Sequence, residues 1–125
     1  MKITKFEAIE AWQSARQLAL KVYQASIKGS FSRDLSLKDQ INRAAGSGMD
    51  NIAEGFDGGS NAEFIRFLGY AQRSCSEVQS QLYRALDRQH IIEEEFNSLY
   101  ELAGKTKAGI GGFIKYLKGY KRQKC

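Results

Sequence analysis

Apolar residues recur along the chain at alternating spacings of three and four, which places their side chains on one face of an α-helix. Four such segments follow one another. The first runs from about Phe6 to Lys28, and the pair at 29–30 suits a helix end. Phe31 is expected to fold back onto the core after this turn. The apolar stripe of the first helix is Ala8, Trp12, Ala15, Ala19, Val22 and Ser26.

The second segment has a thin apolar stripe interrupted by small residues. Ser36 is its predicted N-cap, and the helix reaches about Gly55. Each glycine inside it costs about 1 kcal/mol of helix stability relative to alanine. Close approach of a neighbouring helix would compensate for this cost, so we expect this segment to be the most crowded. Its stripe is Leu37, Ile41, Ala44, Ala45, Met49 and Ile52.

The third and fourth helices follow short connections and keep a heptad rhythm. Ser60 and Glu63 form a capping box, and the glutamates at 93–95 suit the positive end of a helix dipole. Four amphipathic segments predict an all-α fold, an antiparallel up-down-up-down four-helix bundle. The third stripe is Phe64, Leu68, Ala71, Cys75, Val78, Leu82 and Ala85; the fourth is Ile92, Phe96, Leu99, Ala103, Thr106, Ile110, Phe113 and Leu117.

The first and fourth helices carry apolar residues beyond one stripe. A helix of an isolated bundle buries a single stripe, so a wider apolar face predicts a second surface between subunits. We therefore expect a homo-oligomer. The residues that suggest it are Ile9, Ala11, Leu18, Leu20, Ile114 and Tyr116.

Composition agrees with one helical domain over residues 1–125. The chain has 42% hydrophobic residues, no proline and only two cysteines, and 125 residues suffice for a core without disulfides or metal. No stretch reaches the ~20 apolar residues of a membrane span, and the N-terminus lacks the pattern of a signal peptide. These features predict a cytoplasmic protein.

The positive charge is concentrated at the end of the chain. Residues 105–125 contain seven basic and no acidic residues, whereas the remaining 104 residues carry 12 basic and 14 acidic ones. Such a cluster, interleaved with Phe113, Tyr116 and Tyr120, suits a nucleic-acid backbone, with the aromatic rings available for stacking on bases. A solvated helix end is the alternative interpretation. The predicted contact residues are Lys115, Lys118, Lys121 and Arg122.

Catalytic and metal-binding patterns are missing from the sequence. His90 is the single histidine, and Asp87 three residues before it supplies only half of a di-iron motif. We interpret His90 as a surface residue that ends the third helix, and Cys75 as a core residue. No phosphate-binding loop is present, so we predict a protein that is not an enzyme and needs no cofactor or metal.

Polar residues also line one face of the second helix and have possible partners on the third. If buried, these charges must pair, because a lone buried ion costs several kcal/mol. They predict either a network within the 2–3 hairpin or a surface for a subunit or RNA, and both interpretations stay open. The second helix contributes Arg43, Ser47, Asn51 and Glu54, and the third contributes Glu63, Arg66, Arg73 and Glu77.

Two runs within this region carry a resemblance to a known family. The run Asn-Ile-Ala-Glu-Gly at 51–55 is followed by Glu-Phe-Ile-Arg-Phe-Leu at 63–68. This arrangement resembles the four-helix-bundle proteins encoded in 23S ribosomal RNA intervening sequences, and the likeness spans roughly residues 5–117. The resemblance implies a bacterial homopentamer that binds nucleic acid. Similar bundles are accessory proteins of the reverse transcriptases of retroelements, so it also implies, as the alternative, a protein-protein adaptor with such a partner.

Overall fold

Four helices pack against one another in chain order. The computed structural model describes the backbone of residues 3–124 and the side chains of residues 3–119. Short 3₁₀ segments at Phe6–Ala8 and Gly29–Arg33 flank the first α-helix. The helices are α1 (Glu10–Ser26), α2 (Leu35–Asp57), α3 (Asn61–Asp87) and α4 (Glu93–Lys124). The fold is all-α, as predicted.

Side-chain hydrogen bonds between neighbouring helices fix their relative direction. The amide of Asn61, at the start of α3, donates to the carbonyl of Leu117 near the end of α4, at 3.0 Å. Gln72 donates to the carbonyl of Lys107 at 3.2 Å, so the partner number falls as the α3 number rises. α3 and α4 are therefore antiparallel. α1 packs against α2 and α4, and α2 packs against α3, as expected for an up-down-up-down bundle.

The core is formed by the predicted stripes of α2, α3 and α4. Leu37, Leu68 and Ile110 are fully buried, and every stripe residue of α3 is buried. Phe31 is 1% exposed and returns to the core as expected. At the start of α4, Ile91 is buried instead of Ile92, because the chain enters the helix with Ile92 pointing to solvent.

The predicted stripe of α1 is confirmed from Trp12 onward, where its residues are buried or packed against the core. Its first residue is wrong, because the chain is 3₁₀-helical at 6–8 and extended at Ile9, so Ala8 lies outside the buried face of α1. Ile9, Ala11 and Leu18 are buried in the core of the bundle, and Ala8 is exposed. These three residues consequently offer nothing to a subunit interface, whereas Leu20 remains 48% exposed.

The N-cap of α2 is Asp34, and the prediction of Ser36 is wrong. The Asp34 carboxylate accepts a hydrogen bond from the amide of Leu37, and the helix begins at Leu35. Ser36 lies inside the first turn, where its hydroxyl accepts from Gln40. The predicted Ser60 cap of α3 is confirmed, with its hydroxyl accepting from the amide of Glu63.

The crowding expected from the small residues at 44–48 of α2 is found instead at the C-terminal end of the helix, at Gly55. An added Cβ at Gly55 would lie 2.7 Å from the Cβ of Phe67 and 3.0 Å from a ring carbon of Phe64. At Gly46 such an atom would meet nothing within 4 Å. α2 and α3 thus approach closely at Gly55, and only a glycine fits there.

Candidate nucleic-acid interface

The basic end of α4 is anchored by the core and presents its lysines outward. Leu117 is fully buried, and its carbonyl accepts the hydrogen bond from Asn61. Lys115 and Lys118, on either side of it, are exposed. Lys121 and Arg122 lie outside the residues whose side chains the structure describes. Of the four predicted phosphate contacts, Lys115 and Lys118 are thus exposed on the part of the helix whose side chains the structure describes.

Two further lysines of α4 differ in their surroundings. Lys105 is exposed, whereas Lys107 is half-buried beside α3. Burial raises the pKa of the Cys75 thiol to about 11, despite the opposing charge of Lys107. Cys75 is thus a neutral core residue at physiological pH, in agreement with its interpretation from the sequence.

Arg43, the candidate arginine of α2, lies apart from the end of α4. Arg43 pairs with Asp39 within α2 at 3.0 Å, and both side chains are exposed. Because α2 packs on α1 and α3, it lies across the bundle from α4. Arg43 and the α4 lysines consequently belong to different surfaces.

Arg66 is held in a local cluster on α3. It pairs with Glu63 at 2.7 Å, and this hydrogen bond raises the pKa of the guanidinium. Its guanidinium also lies 5.4 Å from the ring of Phe67 and 5.9 Å from that of Tyr70. Arg73 is exposed and makes no ion pair within the described side chains. Of the three arginines, Arg73 is therefore the one with an uncompensated charge.

The polar residues of α2 and α3 meet through hydroxyl groups. The hydroxyl of Ser74, which is buried, donates to Ser47 at 3.1 Å. Asn51 donates to the same Ser47 hydroxyl at 2.9 Å. Glu54 and Glu77 are exposed, and within residues 3–119 no ion pair joins α2 to α3. The helices thus meet at Ser47 and Ser74 through uncharged groups, whereas nearer the end of α3 the guanidinium of Arg84 donates to the side-chain oxygen of Gln40 at 3.0 Å.

His90 is not the surface residue that the sequence suggested. Its side chain is only 10% exposed, and its ring stacks on Phe31 with centroids 5.3 Å apart. Nε2 lies 2.9 Å from the carboxylate of Asp34, and Nδ1 lies 2.8 Å from the hydroxyl of Ser30. Asp87, the expected neighbour, is exposed. The carboxylate that contacts His90 belongs to the N-cap of α2.

The end of α3 explains how His90 reaches this position. Gln89 has a φ of 62°, in the left-handed region, and its amide donates to the carbonyl of Leu86. The amide of His90 donates to the carbonyl of Ala85 at 2.9 Å. These two bonds form a Schellman motif, which usually has glycine at the left-handed position. A glutamine there gives no sequence signal for the turn.

Arg88 completes the cluster by pairing with Asp34 at 2.8 Å. The hydrogen bonds from His90 and Arg88 lower the pKa of the Asp34 carboxyl from its usual 3.8 to about 2. The cluster joins the α1–α2 connection to the α3–α4 connection at one end of the bundle. Because Asp34 accepts from His90, Arg88 and the amide of Leu37, this group of residues acts as a structural clasp.

Metal binding and membrane insertion find no support in the described part of the chain. Among residues 3–124, no group of three or more histidine, cysteine, aspartate or glutamate side chains is placed to hold a metal ion. No helix there is apolar over enough of its length to cross a bilayer.

Comparison with known proteins adds a family and a fold. The family model described as 23S rRNA-intervening sequence protein matches residues 7–112. The structure is similar to that of a protein of unknown function from the S23 ribosomal protein family of Bacteroides thetaiotaomicron, with a TM-score of 0.76 at 20% sequence identity. The alignment covers 84% of this chain and 98% of the other, and at this identity it bears on the fold alone. No curated protein shows significant similarity to the chain.

Proposed function

The chain belongs to the 23S rRNA-intervening sequence protein family, as its resemblance predicted, and on that premise we propose that it is an oligomeric, non-enzymatic protein that binds RNA. The observation that carries the proposal is the basic end of α4. Lys115 and Lys118 are exposed on a helix that Leu117 anchors in the core. No acidic residue follows Glu101 in the sequence, so nothing on this segment offsets its charge.

Phosphate neutralisation is the mechanism that this arrangement supports. Lysine side chains are flexible point charges, and they contact phosphates without reading base edges. Binding should therefore depend on shape and backbone charge more than on sequence. An oligomer would present the cluster several times, and multivalent contact raises avidity without a new type of contact.

Neutralising the α4 cluster tests the proposal. In a variant with Lys115, Lys118, Lys121 and Arg122 all changed to glutamine, we expect RNA binding to be largely lost. The slope of log affinity against log salt should fall by about one unit for each phosphate contact removed. Fluorescence anisotropy with a structured RNA at several salt concentrations measures both quantities. Stability should change by less than about 0.5 kcal/mol per exposed site.

A variant of equal net charge serves as the control. Lys21, Lys28, Arg33 and Lys38 lie on α1, its connection and the start of α2, away from the end of α4. Changing these four to glutamine lowers the formal charge by the same four units, and RNA binding should persist. Equal losses in both variants would contradict a localised site. If the α4 variant bound RNA as tightly as the parent, Arg43, Arg66 and Arg73 would become the candidate RNA-contacting residues.

The proposal of an oligomer is supported by exposed apolar residues on the outer face of α1. Leu20, Tyr23 and Ile27 are 44–50% exposed and share one side of the helix. They suit a contact between subunits, whereas the exposed Tyr116 lies toward the opposite end of the bundle. Light scattering at micromolar concentration should give a multiple of 14.1 kDa; the pentamer of the resemblance would give about 70 kDa. A mass of one chain would contradict the oligomer.

The same α1 face favours the alternative function of a protein-protein adaptor. An exposed apolar stripe on a helix can dock another polypeptide, and a reverse transcriptase is the partner that the resemblance implies. Genomic context separates the two. A neighbouring reverse-transcriptase gene would favour the adaptor, whereas a location within a ribosomal RNA gene would favour RNA binding.

A further inference from the structure

A groove of about 450 Å³ opens between the N-terminal segment and α4. Its deepest residues are apolar or hydroxyl-bearing, and the exposed Glu10 and Lys105 stand at its rim. Grooves of about 300–1,000 Å³ with apolar walls and a few polar groups are typical binding sites for small molecules. The residues that matter here are Ile9, Ala11, Ser14, Thr106, Gly109 and Phe113.

The two hydroxyls in the groove have an ordered pattern of donors and acceptors. Thr106 is fully buried and donates its proton to the carbonyl of Leu102 at 2.8 Å. Ser14 lies 2.7 Å from the Thr106 hydroxyl. Because Thr106 has no second proton, Ser14 must donate to it. The Ser14 oxygen then has only lone pairs left to offer, so a ligand there must bring a donor.

Gly109 keeps the groove open. It lines the groove, is exposed, and an added Cβ would meet nothing within 4 Å. Alanine would favour the helix by about 1 kcal/mol, so packing within the chain does not account for glycine here. Gly111 differs, because its Cβ would lie 2.9 Å from the amide of Gln72. Gly109 therefore presents no side chain to the groove.

We propose that this groove binds a small, neutral aromatic molecule carrying one hydrogen-bond donor, of the phenol or indole type. The ring lies against the apolar walls of Ile9, Ala11 and Phe113, and the donor reaches the Ser14 oxygen. Glu10 and Lys105 at the rim have opposite charges, so together they favour neither an anionic nor a cationic ligand. The site is independent of the basic cluster of α4 and of RNA binding.

Matched pairs of ligands test the donor. Indole against N-methylindole, and p-cresol against its methyl ether, differ in the donor while keeping the ring. Amide shifts of the groove residues in NMR titrations of the intact chain should saturate with all four. The ligands with a donor should bind about three- to tenfold more tightly. In Ser14→Ala this preference should disappear while the methylated ligands bind as before.

Filling the opening tests the location. Gly109→Leu should abolish the titration shifts, and Gly112→Leu should not. Gly112 is the matched control, since it is an exposed glycine of the same helix whose Cβ would also meet nothing. Indole binding that is unchanged in Gly109→Leu would overturn the proposal, as would equal affinity for indole and N-methylindole in the parent.

Two remaining outcomes also decide the question. If Gly109→Leu does not fold, the ligand preference in the parent and in Ser14→Ala decides alone. If the groove amides shift with protein concentration in the absence of ligand, a side chain of a second chain fills the groove, and the small-molecule site is overturned. RNA binding should be unaffected by Ser14→Ala in every case, so failure of this site and failure of the RNA proposal are distinguishable.

Discussion

Gly55→Ala is expected to lower the free energy of unfolding by about 2–3 kcal/mol, a large effect for one methyl group. The new Cβ would lie 2.7 Å from the Cβ of Phe67, which is fixed to the α3 backbone and cannot rotate away. It would also lie 3.0 Å from the ring of Phe64, which packs edge-to-face on Phe56 and Phe113. Relief requires α2 and α3 to move apart. Urea unfolding of the parent and the variant measures the difference.

Gly46→Ala supplies the matched control in the same helix. Its added Cβ meets nothing within 4 Å, and alanine is the better helix former, so we expect stability to rise by up to about 1 kcal/mol. The same substitution nine residues apart should thus have opposite signs. A stabilising Gly55→Ala would contradict the close approach of the two helices.

Periodicity predicted those parts of the fold in which a helix runs without interruption. α3 buries its whole heptad stripe, from Phe64 to Ala85, because it packs against both α2 and α4. The small residues at 44–48 predicted crowding in α2, but Gly46 has open space beside it and the crowded glycine is Gly55. The residue where the crowding occurs, Gly55, depends on which turn of α3 lies opposite, and one sequence does not specify that.

The sequence did not identify the N-cap of α2, because two nearby residues suit that position and a contact with a distant residue determines which one is used. Asp34 and Ser36 are both good N-cap residues, and the sequence rule does not rank them in this context. Asp34 is selected by tertiary structure, because His90 and Arg88 hold its carboxylate from the far end of α3. At the start of α1, the extended residue at Ile9 separates Ala8 from the helix, so the periodicity holds within α1 but not at Ala8.

Some features of the candidate sites can likewise be predicted from the sequence, whereas others depend on tertiary structure. The charge of the α4 end is a property of composition and can be read directly, so Lys115 and Lys118 were identifiable. Whether the charge of an arginine is neutralised by an ion pair depends on its rotamer and neighbours, as the pair Arg66–Glu63 illustrates. The groove at Ser14 and Thr106 joins positions 92 residues apart, so no local pattern reveals it.

His90→Ala is expected to lower the free energy of unfolding by about 2–3 kcal/mol, more than an exposed histidine would. The substitution removes a ring stacked on Phe31, leaves the hydroxyl of Ser30 without its partner, and takes from Asp34 one of its hydrogen-bond donors. Ser30→Ala removes only one bond of the cluster and should cost about 1 kcal/mol. Urea unfolding near neutral pH compares the two variants. Equal and negligible effects would show that the cluster does not clasp the two connections.

Acid unfolding tests the electrostatic part of the same clasp. The pKa of the Asp34 carboxyl is about 2 in the folded chain, below its usual 3.8, and the hydrogen bond from His90 is the largest cause. A carboxylate with a lowered pKa contributes stability that is complete above its unfolded value and lost as the pH falls through the folded one. The parent should therefore lose this contribution between about pH 4 and pH 2. In His90→Ala the folded and unfolded pKa values lie closer together, so the acid-dependent loss should be smaller than in the parent. The other carboxylates titrate alike in both proteins, so equal losses would show that His90 does not hold the charge of Asp34.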